Sequence, residues 1–204
     1  RLKKVKIYLQ EQNAIPGLVN KIFLNKASKV FFGFNPIKKN ENYFHLGNPI
    51  LNNENNSYKR IVKNNDKFTI FIIGGSQGSV PINNHFLKKH NFYVNLNINI
   101  IWQCGQNNYE EIKSNISNEN IDLLGFINPI DMNSYYKKAD LVICRSGAIT
   151  LTELANYGVP SILIPFPKSA NNHQFYNAKY FSDNDAAIVV EQRKLNSGKL
   201  EQTF

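Results

Sequence analysis

Two stretches of this sequence set glycines among hydroxyl, amide or charged side chains directly after an apolar run: Gly74-Gly75-Ser76-Gln77-Gly78, and Cys144-Arg145-Ser146-Gly147-Ala148. An apolar run that halts at small residues and resumes as Ala148-Ile149-Thr150-Leu151-Thr152-Glu153 reads as a buried strand, a tight turn and the first turn of a helix. In open α/β sheets ligands sit outside the carboxyl ends of the strands, where free N–H groups of the following helix attract phosphate. Glu153, one turn into its helix, would repel phosphate but is placed to accept hydrogen bonds from the two hydroxyls of a ribose. Arg145 would add positive charge at the turn. The plainer reading of the same residues is an ordinary strand-to-helix turn, with Glu153 favourable beside the helix dipole and Arg145 solvated.

Three chemistries compete for the glycine loop. It lacks glycines at the first, third and sixth positions, so it is not the dinucleotide fingerprint. It does fit G-x-S-x-G, the nucleophile elbow of α/β serine hydrolases, and it follows a strand and precedes a helix. A triad in that order would draw on Ser76, Asp140 and His173. Asp140 starts its strand, on the opposite edge of a parallel sheet from Ser76, so such a triad cannot close, and Asp122 and Asp131 have no better claim. The third chemistry is a phosphate or sugar-nucleotide cradle. Two glycine-containing strand ends on one sheet edge can hold the two ends of a diphosphate linkage.

The elements that would carry these loops can be read in order. Residues 5–9 form a strand ending in the polar stretch Gln10-Glu11-Gln12-Asn13; Asn13 suits ligand contact or a turn. Pro16 opens a short amphipathic helix over 16–27, with Leu18, Val19, Ile22 and Phe23 on one face. Short strands follow at 30–34 and 43–46. Residues 50–66 turn to Asn, Lys and Ser and read as a linker. From 67 onward strands (67–73, 97–104, 121–124, 139–143, 160–165, 186–190) alternate with helices (80–90, 109–113, 132–139, 148 onward, 172–178). This is the pattern of a Rossmann-type parallel sheet. Trp102, Tyr135 and Tyr136 are expected in the core.

Composition narrows the class. The 204 residues are 42% hydrophobic and 19% charged, ordinary for a globular protein, and no apolar run is long enough to span a bilayer. Two cysteines at the ends of strand-like runs make neither a disulfide framework nor a metal site. The net charge of +9 suits anionic partners, but no Arg-rich patch with interleaved aromatics marks an RNA-binding surface.

Taken together, the motifs resemble those of the MurG family, bacterial transferases that move N-acetylglucosamine from UDP-GlcNAc onto the lipid-linked muramyl-pentapeptide of peptidoglycan synthesis. The matching pieces run in the family's order from about residue 8 to 191: Glu11-Gln12-Asn13-Ala14-Ile15-Pro16-Gly17, Gly47-Asn48-Pro49, the 74–78 loop, residues 144–148, Thr152-Glu153, and His173-Gln174 with Asn177. The resemblance implies an α/β, GT-B-type fold: a Rossmann-like C-terminal domain at 67–204 that binds the donor, a linker at 50–66, and at 1–49 the last part of a second Rossmann-like domain on the acceptor side.

Carried over residue by residue, Asn13 matches the Asn that reaches the donor from the first domain, and Ser76, with Gln77 beside it, the phosphate-side serine. Ala148, Ile149, Thr150, Leu151, Thr152 and Glu153 match the segment whose amides hold the diphosphate and whose Glu binds the ribose. Gln174 matches the glutamine that reads the GlcNAc hydroxyls, with Asn177 close behind, and Ile127 or Ile130 matches the uracil contact. Leu51 stands where the family usually has a donor-contacting Arg.

The family's glycine-rich loop and its His, the expected base, would lie upstream of Arg1, so no catalytic residue is assigned within 1–204, and a closing C-terminal helix is expected to be absent. Implied partners are UDP-GlcNAc, the undecaprenyl-diphosphate-linked acceptor and the cytoplasmic face of the bacterial inner membrane, met peripherally through the upstream part. No cofactor, metal or nucleic acid is expected. A module that holds UDP-sugar without catalysis is the alternative reading.

Overall fold

In the computed structural model, which describes residues 5–51 and 67–203, the near-continuous apolar runs of the sequence become strands covered on both faces. The longer unit consists of β4 (Thr69–Ile73), α2 (Val80–Asn95), β5 (Asn99–Gln103), α3 (Tyr109–Asn115), β6 (Ile121–Leu124), α4 (Met132–Lys138), β7 (Leu141–Cys144), α5 (Ala148–Tyr157), β8 (Ser161–Leu163), α6 (His173–Ser182) and β9 (Ala187–Val189), in the numbering of the whole chain. Its six strands pair in the order β6-β5-β4-β7-β8-β9, every pairing parallel. This is the doubly wound order, with the reversal of winding between β4 and β7.

Alternation along β4 shows why the runs are apolar throughout. Ile70 and Ile72 join Ile82, Phe86, Trp102 and Ile112 in one core on the α2 and α3 side. Phe71 and Ile73 join Tyr136, Leu151, Leu154, Tyr157 and Ala178 in a second core under α4, α5 and α6. A parallel strand with helices on both faces has no side left for water. Leu195 and Leu200, from the turns that follow β9, complete the first core, and buried His85 of α2 lies 3.2 Å from Glu201 of the same segment.

The shorter unit is a parallel sheet of β1 (Tyr8–Glu11), β2 (Lys29–Phe32) and β3 (Tyr43–His45), in that order, with α1 (Leu18–Phe23) between β1 and β2. The first strand starts three residues later than expected and carries the polar Gln10 and Glu11 in the ladder, paired with Phe31 and Phe32. Glu11 is buried and ties up the turn that follows: Oε1 accepts from the Asn13 amide at 2.9 Å, and Oε2 from the Gly17 amide at 2.8 Å and the Asn20 side chain at 2.7 Å. The helix expected over 16–27 is α-helical only at Leu18–Phe23, then tightens to a 3-10 turn at Leu24–Lys26. Residues 52–66 of the expected linker lie outside the described residues.

The two sheets meet at a mixed seam. Phe34 enters the second core, edge-on to Tyr180 at 5.1 Å. Asn177 of α6 accepts the Ala14 amide at 2.8 Å and donates to the Asn13 side chain at 3.0 Å, while Asn48 donates to Thr152 at 3.1 Å.

Candidate functional site

The turn after β4 and the turn after β7 open side by side at the carboxyl edge of the sheet, where the winding reverses. Between them lies a cavity of about 520 Å³ lined by Gly74, Gly75, Gly78, Ser79, Arg145, Gly147, Thr150, Phe166 and Gln174, among others. A crevice at the switch point is where open α/β sheets bind their ligands.

Backbone contact sets the shape of the first turn. Gly78 has φ of +74°, and a Cβ there would collide with the Cys104 carbonyl at the end of β5; Gly105, at φ of +89°, packs equally close against Gln77. Only residues without a side chain permit this approach. Beneath the pair, Asn83 of α2 donates to the Cys104 carbonyl at 2.8 Å and accepts from the Trp102 indole at 3.2 Å, so the turn rests on satisfied buried groups. Gln103, also buried, donates to the carbonyls of Ser76 at 3.4 Å and Gly125 at 3.2 Å.

Arg145 supplies the charge. Its Nη1 donates to the carbonyls of Ile164 at 3.1 Å and Pro165 at 3.3 Å, and its Nη2 to Ser79 Oγ at 2.6 Å and Gln192 Oε1 at 2.7 Å. Each of these acceptors is a neutral oxygen, and the guanidinium lies 5.5 Å from the Phe166 ring centre. Desolvation pushes its pKa down to about 10, so the group stays charged at neutral pH. A held cation with no acidic partner among the described residues, beside free helix amides, favours a dianionic or polyanionic ligand.

The structure distributes the expected site residues among different surroundings. Arg145, Thr150 and Gln174 line the cavity, the last accepting the Phe166 amide on Oε1 at 2.9 Å. The start of α5 (Ala148, Ile149, Thr150) turns its N-terminus to the same opening, while Leu151 is buried in the core. Ser76 and Gln77 are exposed at the outside of the turn and do not line the cavity; Ser79, which the sequence reading passed over, is the serine that does. Asn13, Thr152 and Asn177 belong to the seam between the sheets.

Glu153 lies on α5 facing α4, where Tyr136 donates its hydroxyl to Oε2 at 2.8 Å. Burial raises the Glu153 pKa above its ordinary value, and the Tyr136 bond opposes that rise. Ile127 is packed into the second core, whereas Ile130 is exposed. Leu51 is exposed as well. Asp140 accepts the Thr69 amide at 2.7 Å at the amino edge of the sheet, which removes it from any triad with Ser76. Among the described residues no cluster of His, Cys, Asp or Glu could hold a metal ion, and no helix is long and apolar enough to cross a membrane.

Comparison with known proteins places this architecture. Residues 69–204 match the glycosyltransferase family 28 C-terminal domain. The chain belongs to this family. A relative from Vesicomyosocius okutanii, the UDP-N-acetylglucosamine--N-acetylmuramyl-(pentapeptide) pyrophosphoryl-undecaprenol N-acetylglucosamine transferase, is 41% identical over 198 residues, which cover 97% of this chain and 54% of that protein. The protein of the same name from Flavobacterium psychrophilum is 35% identical over 201 residues, 93% of this chain and 54% of its own length. The crystal structure of Acinetobacter baumannii MurG superposes with a TM-score of 0.83 at 28% identity, over all of this chain and 59% of that one. The S. aureus MnaA–UDP structure shares the fold, with a TM-score of 0.63 at 16% identity over 97% of this chain and 59% of its own. The GT-B-type expectation from the sequence therefore holds. The chain spans just over half the length of the curated relatives it matches.

Proposed function

We propose that this chain carries the donor-binding half of a UDP-GlcNAc-dependent transferase that adds N-acetylglucosamine to the C4 hydroxyl of undecaprenyl-diphosphate-linked muramyl-pentapeptide, at the cytoplasmic face of the bacterial inner membrane. The observation that carries the reading is the cavity at the β4/β7 switch point, framed by two glycine turns and the Arg145 cation held by neutral oxygens. Its support from relatives is the shared name of the two transferases at 35–41% identity.

In this reading residues 67–204 form the donor domain, 50–66 the linker and 1–49 the end of an acceptor-side domain. The amides at the start of α5, with Thr150, grip the diphosphate, and Arg145 offsets the charge that builds on it as UDP leaves. Fixed donors of this kind stabilise a leaving diphosphate in an inverting single displacement. Gln174 at the cavity wall reads sugar hydroxyls, Glu153 takes the ribose, and the 125–127 turn with Ile127 meets the uracil. No described residue is given the role of base or of membrane contact in this reading.

Calorimetric titration of the chain with UDP-GlcNAc, UDP-glucose and ADP tests this. Saturable binding that prefers UDP-GlcNAc, weakened at least tenfold by Arg145→Ala, is the expected result. Equal binding of ADP and UDP-GlcNAc, or an unaffected Arg145→Ala variant, would overturn it. The hydrolase reading is tested by a fluorophosphonate probe, which is expected to leave Ser76 unlabelled.

A further inference from the structure

Glu153 does not stand alone in its pocket, and its neighbour has no role in the reading above. The Tyr136 hydroxyl meets Glu153 Oε2 at 2.8 Å, a short bond between two half-buried or buried groups on different helices. Tyr136 itself is 1% exposed and cannot swing away, because its ring stacks on Tyr157 at 5.6 Å and meets Phe71 edge-on at 5.9 Å. We propose that Tyr136 is a positioning residue for the nucleotide site: its locked hydroxyl occupies one carboxylate oxygen of Glu153, fixing the rotamer and leaving Oε1 to accept from a ribose hydroxyl of the ligand.

This rests on the reading of Glu153 as the ribose ligand and adds to it the means by which a carboxylate in an apolar setting is held ionised and aimed. A carboxyl accepts on both oxygens only while ionised; once protonated, one oxygen becomes a donor and the group binds a diol less well. Burial acts against the ionised state, and the Tyr136 hydrogen bond works for it. Both groups facing Glu153 keep their own protons. Burial first, and then the neighbouring carboxylate, raises Tyr136 well above its ordinary range and pushes the Cys144 thiol of β7 up to about 12. Neither competes for the role of anion.

The arrangement also bears on selectivity. With Oε2 already accepting from Tyr136, Oε1 keeps its lone pairs for the ribose, and the fixed rotamer decides which hydroxyl it meets on the better geometry. Removing the Tyr136 hydroxyl frees the second oxygen but lets the side chain take other rotamers and lets its proton return at higher pH.

Two measurements on the chain and its Tyr136→Phe variant test the proposal. The first needs no ligand: the Glu153 carboxyl is titrated by ¹³C NMR, and Tyr136→Phe is expected to move its midpoint to higher pH. An unchanged midpoint would overturn the proposal even if no nucleotide binds. The second is calorimetry with UDP and 2′-deoxy-UDP from pH 5.5 to 8. In the variant, UDP affinity is expected to fall about tenfold at the low end of the range and less at the high end, with discrimination between the two nucleotides reduced. A loss of equal size at every pH and for both nucleotides, tracking a lowered melting temperature, would mean that Tyr136 only packs and would overturn the proposal. Failure of the unmutated chain to bind UDP, with the NMR midpoint shifted as expected, would instead count against the ribose reading of Glu153 and leave the positioning of its carboxylate established.

Discussion

The two parallel sheets of this chain are built from the same kind of strand and differ in what covers them. In the six-stranded sheet Phe71, Ile72, Val142 and Ile143 are all within 1% of full burial, because helices lie on both faces. Around the three-stranded sheet the buried core among the described residues is Ala27, Val30 and Phe32, and α1 leaves Leu18, Val19 and Ile22 at 68%, 65% and 56% exposure. An amphipathic pattern states which face of a helix wants a partner; it does not place the partner among the residues at hand. The smaller sheet therefore leans on its seam with α5 and α6, and the larger one supports itself.

The most severe test of that contrast is Phe71→Ala. Emptying a site between β4, α4 and α5 is expected to cost about 3–5 kcal/mol in chemical denaturation and to unfold both sheets together. Gly78→Ala is expected to act on the site more than on the fold. Its Cβ meets the Cys104 carbonyl, the turn must move, and UDP binding measured by calorimetry is expected to fall at least a hundredfold.

At the seam, Asn177→Ala leaves the Ala14 amide and the Asn13 side chain without their partner. A loss of about 1–3 kcal/mol is expected, with hydrogen exchange rising first in β1 and β2 and little changed in β4. Uniform exchange across both sheets would erase the distinction drawn between them. The smallest effect is expected from Leu18→Lys on the open face of α1: within about 0.5 kcal/mol in denaturation, since its side chain is already in water. A large loss there would mean that this face is covered in solution.

Much of the larger sheet was legible because burial on both faces writes itself as a continuous apolar run. Residues 121–124 are placed to the residue, and the strand expected at 67–73 runs Thr69–Ile73. Strand ends rich in glycine located the cavity for a comparable reason, since close backbone approach excludes side chains. The contacts that could not be read share one cause, partners distant in sequence. Thr152 and Asn177 sit beside ligand-binding motifs, yet their hydrogen bonds reach residues 104 and 164 positions away. Ser79 was missed because G-x-S-x-G drew the eye to Ser76, and nothing local marks which hydroxyl will meet Arg145. Gln192 lies 47 positions from Arg145, in a polar stretch without periodicity. The exposed face of α1 was read correctly as apolar; what lies against it is not a local property.

The cradle around Arg145 has a consequence for how binding should respond to ionic strength. The chain carries a net charge of +9, and about 0.15 M salt confines the field of charges in solvent to roughly 8 Å. Arg145 is held in place by four neutral oxygens, partly out of reach of counterions. Added salt should therefore slow the arrival of an anion far more than it loosens one already seated. Inorganic phosphate and sulfate, which can enter the cavity itself, should compete where chloride does not, so the choice of buffer anion sets the apparent affinity more strongly than the amount of salt.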